Sequence, residues 1–242
     1  MRDAYARRAF DFLDRISEMR QPEQIFDAFY SATEGLGFET FIISGLPDPN
    51  QRLEQMVLLK HWPDEWYSIY TRSDYVRDDP VIWSCRRTVE PFLWSDAPYD
   101  RSANRRSHQV MCEATEFRMT NGLCIPIHGL SGMESAVSLG GLQPDLTPRA
   151  RAAVHLMGIY AFNTTKRLLQ PEPDIKTPVL SARECEVMTW TAAGKSAWEV
   201  SCILNISANT ANKHISSATR KLDTVNKTQA VAEALRRGEI HI

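Results

Sequence analysis

Residues 180–222 read LSARECEVMTWTAAGKSAWEVSCILNISANTANKHISSATRKL, and three helix starts stand in them. Ser181 with Glu184 forms a capping box: the hydroxyl accepts from the third helical amide and the carboxylate reaches back. Ser196 with Glu199 repeats the device, and Ser207 is a third cap, with Thr210 where an acid would complete the box. Gly194 suits a helix end that needs positive φ. Only Asn205 and Ile206 separate the second helix from the third cap. This spacing predicts a helix-turn-helix held by Val200, Ile203, Leu204, Ile206 and Ile215. Its second helix carries Asn209, Thr210, Asn212, Lys213, His214, Ser216 and Arg220. Such short polar and basic side chains suit base edges and phosphates in a major groove. A small helical bundle with a merely solvated polar face fits the same spacing.

The segment resembles the DNA-binding domain of the LuxR family of transcription regulators, within the wider GerE-type group. The resemblance is carried by Leu180, Arg183, Glu184, Glu186, Trp190, Gly194, Lys195, Ile203, Leu204, Ile206, Ser207, Thr210, His214, Lys221, Leu222 and Ala230. It implies double-stranded DNA as partner. Asn212 and Ser216 are then expected to read bases, and Lys195, Lys213 and Arg220 to meet phosphates, with Asn209 and Thr210 in the same interface. Two positions depart from the family pattern: Cys185 replaces a usual charged residue and Ala211 a usual valine.

The whole chain sets the frame. Its 242 residues suffice for two domains. The N-terminus, MRDAYARR, lacks an apolar core, so no secretory signal is expected. No apolar run reaches the roughly 18 residues of a membrane span. Five cysteines without a C-x-x-C pair fit a reduced, cytoplasmic interior. Residues 181–242 hold eight Lys and Arg against six Asp and Glu, a weakly cationic balance. Phosphate contacts alone would then give modest affinity, which argues for a dimer that doubles the footprint.

Reading in order, helices are expected at 4–19, with Ala9, Phe10, Phe12, Leu13 and Ile16 inward, and from Pro22 to about Leu36. Phe38–Leu46 and Leu53–Lys60 read as strands, and Pro63–Arg72 as a helix. Asp79 and Pro80 open another helix, since Asp caps well and Pro suits the first turn. Phe92–Trp94 reads as a short strand and Asn104–Phe117 as a helix. Gly122–His128 and Glu134–Leu142 read as strands joined by a hairpin-like turn at 129–132. A long helix follows at 148–169. The expected class is α+β. An N-terminal α-β-α sandwich on an antiparallel sheet occupies 1–170, residues 171–178 form a proline-rich linker, and an all-α four-helix domain occupies 179–242. Dimer contacts are expected from Val154, Met157, Tyr160 and Ala161 on the long helix. Ala230, Val231, Ala234 and Leu235 on the last helix are expected to supply more.

Residues 62–94 are rich in aromatics, which suit either an ordinary core or the walls of a small-molecule pocket. The pattern Trp66-x-x-x-Tyr70, Asp79-Pro80, Trp94, then Gly122, Pro126 and Gly129 resembles the autoinducer-binding domain of the same LuxR family. That resemblance implies an N-acyl homoserine lactone as ligand. Trp66 would donate to the lactone carbonyl, Asp79 would accept from the amide N–H, and Ser138 would donate to the amide carbonyl. Tyr70, Val81, Trp94 and Cys124 would line the walls. Trp62 stands where many relatives have tyrosine. The whole then implies a quorum-sensing transcription regulator, not an enzyme, that binds palindromic promoter DNA as a homodimer.

Other chemistries are weaker. His108 with Cys112 and Cys124 with His128 suggest zinc, but the second pair lies on a strand, where residues four apart stand too far from each other to share an ion. No G-x-S-x-G, G-x-G-x-x-G or P-loop occurs, so neither a hydrolase nor a nucleotide cofactor is expected. A phosphorylation-driven receiver would need repeated βα units, and the chain opens with two helices instead. A regulator with a degenerate pocket, acting without an acyl lactone, remains the alternative.

Overall fold

The computed structural model describes residues 4–48, 51–129, 134–169 and 178–241. They fall into two compact units, one ending with the long helix and one starting at Pro178. Most of the expected 129–132 turn and of the 171–178 linker lies outside the described residues.

In the first unit, α1 (Ala4–Ser17) and α2 (Pro22–Glu34) precede β1 (Thr40–Gly45) and β2 (Val57–His61). Next come α3 (Asp64–Arg72), α4 (Pro80–Cys85), β3 (Phe92–Leu93) and α5 (Arg105–Glu116). The hairpin strands β4 (Asn121–His128) and β5 (Glu134–Gly141) and the long helix α6 (Pro148–Leu169) complete it. The strands form an antiparallel sheet in the order β2-β1-β5-β4-β3. Leu53–Gln55, expected to start the second strand, is instead a 3₁₀ turn.

The period of two gives the sheet different faces. Phe41, Ile43, Leu123, Ile125, Val137 and Leu139 share one face and pack against α1, α2 and α6. On the other face Gly122 pairs with Gly140 and Cys124 with Ser138, and Ser138 and Ala136 pair with Ile42 and Ser44 of β1. The first face carries large side chains; the second, apart from Ile42, carries small ones. Trp94 lies over the glycine pair: a Cβ on Gly140 would come 2.1 Å from its ring and one on Gly122 2.3 Å. Only glycine leaves room for an indole there.

Packing corrects three sequence expectations. In α1 the buried stripe is Ala9, Phe12 and Ile16, while Phe10 is 60% exposed, because it falls off the 9-12-16 spacing. In α6, Val154, Met157 and Ala161 are fully buried in their own core, so they cannot form the dimer seam assigned to them; Tyr160 is 45% exposed. Ala230 and Ala234 likewise sit inside their own domain's core.

The second unit consists, among the described residues, of α7 (Ala182–Ala192), α8 (Ala197–Leu204), α9 (Ala208–Lys221) and α10 (Lys227–Arg236). Ser181, Ser196 and Ser207 cap α7, α8 and α9, with both capping boxes formed. Gly194 has φ +83, and the tight turn after α8 is made by Asn205 in the left-handed region. Val187, Val200 and Ala211 form the core between these helices, with Leu204, Ile206 and Ile215 around it. Ile203, expected there, is 43% exposed. A buried acid locks the bundle: Glu184 accepts from Lys221 Nζ at 2.6 Å and from the Ser181 amide at 2.7 Å. Burial alone would raise its pKa. The Lys221 ammonium, the Ser181 amide and the hydroxyls of Ser217 and Ser181 outweigh that and hold it at about 2.

Gly140→Ala should force the Trp94 ring out of its seat and lower stability by about 1–3 kcal/mol. Thermal unfolding reads this, and an unchanged midpoint would mean that the ring moves aside freely. Glu184 contributes stability in full above its unfolded value of 4.5 and loses it as pH falls towards 2. Glu184→Gln should therefore cost about 1–3 kcal/mol at neutral pH and flatten that acid limb, as measured by urea unfolding of the full chain.

Candidate ligand cavity and nucleic-acid face

The second face of the sheet, α3, α4 and α5 line a cavity of about 50 Å³ that is partly open. By the volume one ordered water needs, that is space for several waters. Trp62, Trp66, Tyr70, Asp79, Val81, Trp94 and Ser138 all line it, so seven of the eight predicted ligand residues meet in one place. Cys124 does not line it. Its thiol shares the sheet face but is fully buried beside Cys85, whose contact and burial raise its pKa well above the ordinary thiol value. Sequence reasoning missed Ile42, Ser44, Leu53, Ile82, Met111 and Met119. Strand parity could have found the first two, since Ile42 and Ser44 alternate with the core residues Phe41 and Ile43.

Asp79 is the polar centre of the cavity. It sits just before α4, where its Oδ1 accepts from the Val81 amide at 2.8 Å and so caps the helix. Its Oδ2 accepts from the Tyr70 hydroxyl at 2.7 Å. Both oxygens thus have a partner. Burial raises the pKa of Asp79, and the Tyr70 hydroxyl and the Val81 and Ile82 amides oppose that rise. Burial, and then the Asp79 charge, pushes the Tyr70 phenol up.

The donors lie opposite in character. Trp94 Nε1 donates to Ser138 Oγ at 3.0 Å, which leaves the serine proton free to donate in turn. The indole N–H groups of Trp62 and Trp66 are buried with no hydrogen-bond partner. A buried donor left unpaired costs about 1–3 kcal/mol, so each is a debt that a bound acceptor would clear. The rings form one aromatic wall, with centroids 6.3 Å apart for Trp62 and Trp66, 5.6 Å for Trp66 and Tyr70, and 5.1 Å for Trp62 and Tyr70. The arrangement can hold an apolar body while offering donors and one acidic acceptor to an amide-bearing head.

In the second unit, Asn209, Asn212, Lys213, Ser216 and Arg220 are all exposed. Their spacing puts them on one face of α9, opposite the buried Ala211 and Ala218. Thr210 is partly covered and its hydroxyl is hydrogen-bonded to Ser207 Oγ at 2.8 Å, so it serves the cap. Lys195 stands outside α9, at the start of α8, 3.7 Å from Glu199. The face can present amides and a hydroxyl to base edges, flanked by two cations for phosphates.

Known proteins agree with this division. Residues 21–165 match the family described as autoinducer binding domain, and residues 178–234 match the family described as bacterial regulatory proteins, luxR family. The chain is 48% identical to the transcriptional activator protein BjaR1 of Bradyrhizobium diazoefficiens, over 96% of each chain. It is 42% identical to the quorum sensing-dependent transcriptional regulator RpaR of Rhodopseudomonas palustris, over 98% of this chain and 97% of that one. The structure of SdiA in complex with octanoyl-rac-glycerol has the same fold, with a TM-score of 0.66 at 22% identity over 99% of this chain and 98% of that one. The chain therefore belongs to the LuxR family of quorum-sensing transcription regulators, with an autoinducer-binding domain followed by a LuxR-type helix-turn-helix domain, and it is not an enzyme.

Proposed function

We propose that the chain binds an N-acyl homoserine lactone in the cavity and, as a homodimer in the cytoplasm, binds near-palindromic promoter DNA. One observation carries the ligand half: two buried indole donors without partners share a cavity with a buried carboxylate. An acyl homoserine lactone supplies the complement, two carbonyl acceptors and one amide N–H. Trp66 donates to the lactone carbonyl, Ser138 to the amide carbonyl, and Asp79 Oδ2 accepts from the amide N–H beside Tyr70. Val81, Tyr70 and Trp94 hold the body of the ligand by contact.

The regulatory step is linkage. A ligand that binds only the folded domain stabilises it by about 2.7 kcal/mol at a hundred times its Kd. Two recognition helices in a dimer read half-sites about 34–36 Å apart, or a multiple of that. Asn212 and Ser216 read bases; Lys195, Lys213 and Arg220 hold phosphates, with Asn209 and Thr210 at the leading end of α9. The dimer seam uses surface other than Val154, Met157 and Ala161, which serve the core.

Isothermal titration with a panel of acyl homoserine lactones tests the ligand half; no heat and no thermal shift with any of them would leave the ligand-free alternative. Asp79→Asn should weaken lactone binding roughly tenfold to a hundredfold, since hydrogen bonds to charged groups contribute about 1.5–3 kcal/mol. Burial raises the pKa of Asp79 in the free protein, and its acid form cannot serve the N–H as a carboxylate does. Affinity should thus be full above that pKa and fall as pH drops through it, and the Asp79→Asn variant should lack this acid limb. Lys213→Ala should weaken binding to all DNA sequences and reduce the salt slope by about one. A change in base preference alone, in a binding titration against salt, would move Lys213 into the base-reading set.

A further inference from the structure

β1 turns two residues towards the cavity, Ile42 and Ser44. Ser44 is 4% exposed, and its hydroxyl has no hydrogen-bond partner among the described residues. Its cross-strand neighbours Ala136 and Val57 offer only apolar side chains. The roles given to Trp66, Ser138 and Asp79 leave this hydroxyl unused. A buried hydroxyl without a partner costs free energy that an alanine there would not.

Strand register fixes which part of a ligand reaches Ser44. Ser138 faces Ile42 across the strands, and Ala136 faces Ser44. The two hydroxyls therefore stand two residues apart along the sheet and one strand across. At about 3.4 Å per residue and about 4.8 Å per strand, that is about 8 Å. Trp94 covers the sheet on the opposite side of Ser138, over Gly122 and Gly140. A chain that leaves its amide carbonyl at Ser138 thus runs over Ala136 to Ser44. A fully extended chain advances about 3.5 Å in three bonds, which makes the distance about six or seven bonds. We propose that Ser44 is a specificity-determining residue for the far end of the acyl chain. Its hydroxyl donates to an oxygen carried about six or seven bonds beyond the amide carbonyl carbon, so the site takes acyl chains that end in a polar group. This rests on the lactone reading of the cavity. A hydrocarbon chain that reaches the same point displaces water and leaves the serine unpaired, and a site built to bond an oxygen rejects the analogue that lacks it.

Isothermal titration of the full-length protein compares 6-hydroxyhexanoyl with heptanoyl homoserine lactone, which differ only by a terminal hydroxyl in place of a methyl. The parent should bind the hydroxylated chain about tenfold more tightly, the scale of one buried hydrogen bond. Ser44→Ala should reverse that ranking, losing affinity for the hydroxylated chain and gaining it for heptanoyl. The lactone with a 3-oxoheptanoyl chain, whose extra oxygen lies near the amide, should follow heptanoyl in both proteins. The parent's own ranking needs no variant to fold, and a merely structural role for Ser44 would move all three affinities together. A parent that prefers heptanoyl, or a Ser44→Ala variant that shifts all three equally, overturns the proposal while leaving lactone binding intact. A preference for 3-oxoheptanoyl that Ser44→Ala abolishes also overturns it, by placing Ser44 beside the amide. Heat from other acyl homoserine lactones but from none of these three overturns this proposal alone. No heat from any of them removes the lactone reading and this proposal together.

Discussion

A charge taken out of water must be matched where it is put, and Asp79 is where this molecule meets that demand. Its two hydrogen bonds come from the start of α4 and from Tyr70 on α3. One carboxylate therefore fixes the first turn of one helix, orients a tyrosine on another, and stands as the polar tip of an aromatic wall. An isolated buried carboxylate would shift its pKa and neutralise. Here the phenol and the amides oppose that shift. The chain's own donors thus hold the carboxylate in place.

The cavity itself follows from strand parity. On the face towards α1, α2 and α6 the middle of the sheet carries Phe41, Ile43, Leu123, Ile125, Val137 and Leu139. On the other face the central strands carry Gly122, Cys124, Ala136, Ser138 and Gly140. Small residues on a sheet leave a layer that large residues from elsewhere must fill. Trp94, Trp66, Tyr70 and Trp62 do so from the helices and connections. Indoles are bulky and stiff, and they fill that layer incompletely; the residual space is the cavity. The Gly122–Gly140 pair seats Trp94, and Trp94 in turn holds the hydroxyl of Ser138.

Much of this was legible from local chemistry. The three serine caps, Gly194, the Asp79-Pro80 helix start and the bounds of α6 are all read from neighbours within a few positions, and all stand in the structure. The helix-turn-helix followed from those caps. What failed depended on contacts far along the chain. An apolar stripe shows that a helix face is covered but not by what, so Val154, Met157 and Ala161 were assigned to a second subunit when their own sheet covers them. Cys124 had the right parity for the cavity, yet Cys85, thirty-nine positions earlier, lies over it. Phe10 and Ile203 are apolar and exposed, which composition cannot signal.

The two units also differ in how completely they satisfy themselves, and that difference bears on regulation. In the second unit the buried Glu184 is matched by an ammonium and an amide, and the helix caps are filled. In the first, two indole donors remain unpaired beside unfilled space. Neither indole N–H meets an acceptor among the described residues. The hydrogen bonds a ligand makes there are counted both as binding and as stability, since in the unfolded chain water serves the same indoles. The helix-turn-helix bundle, by contrast, owes its stability to contacts within itself.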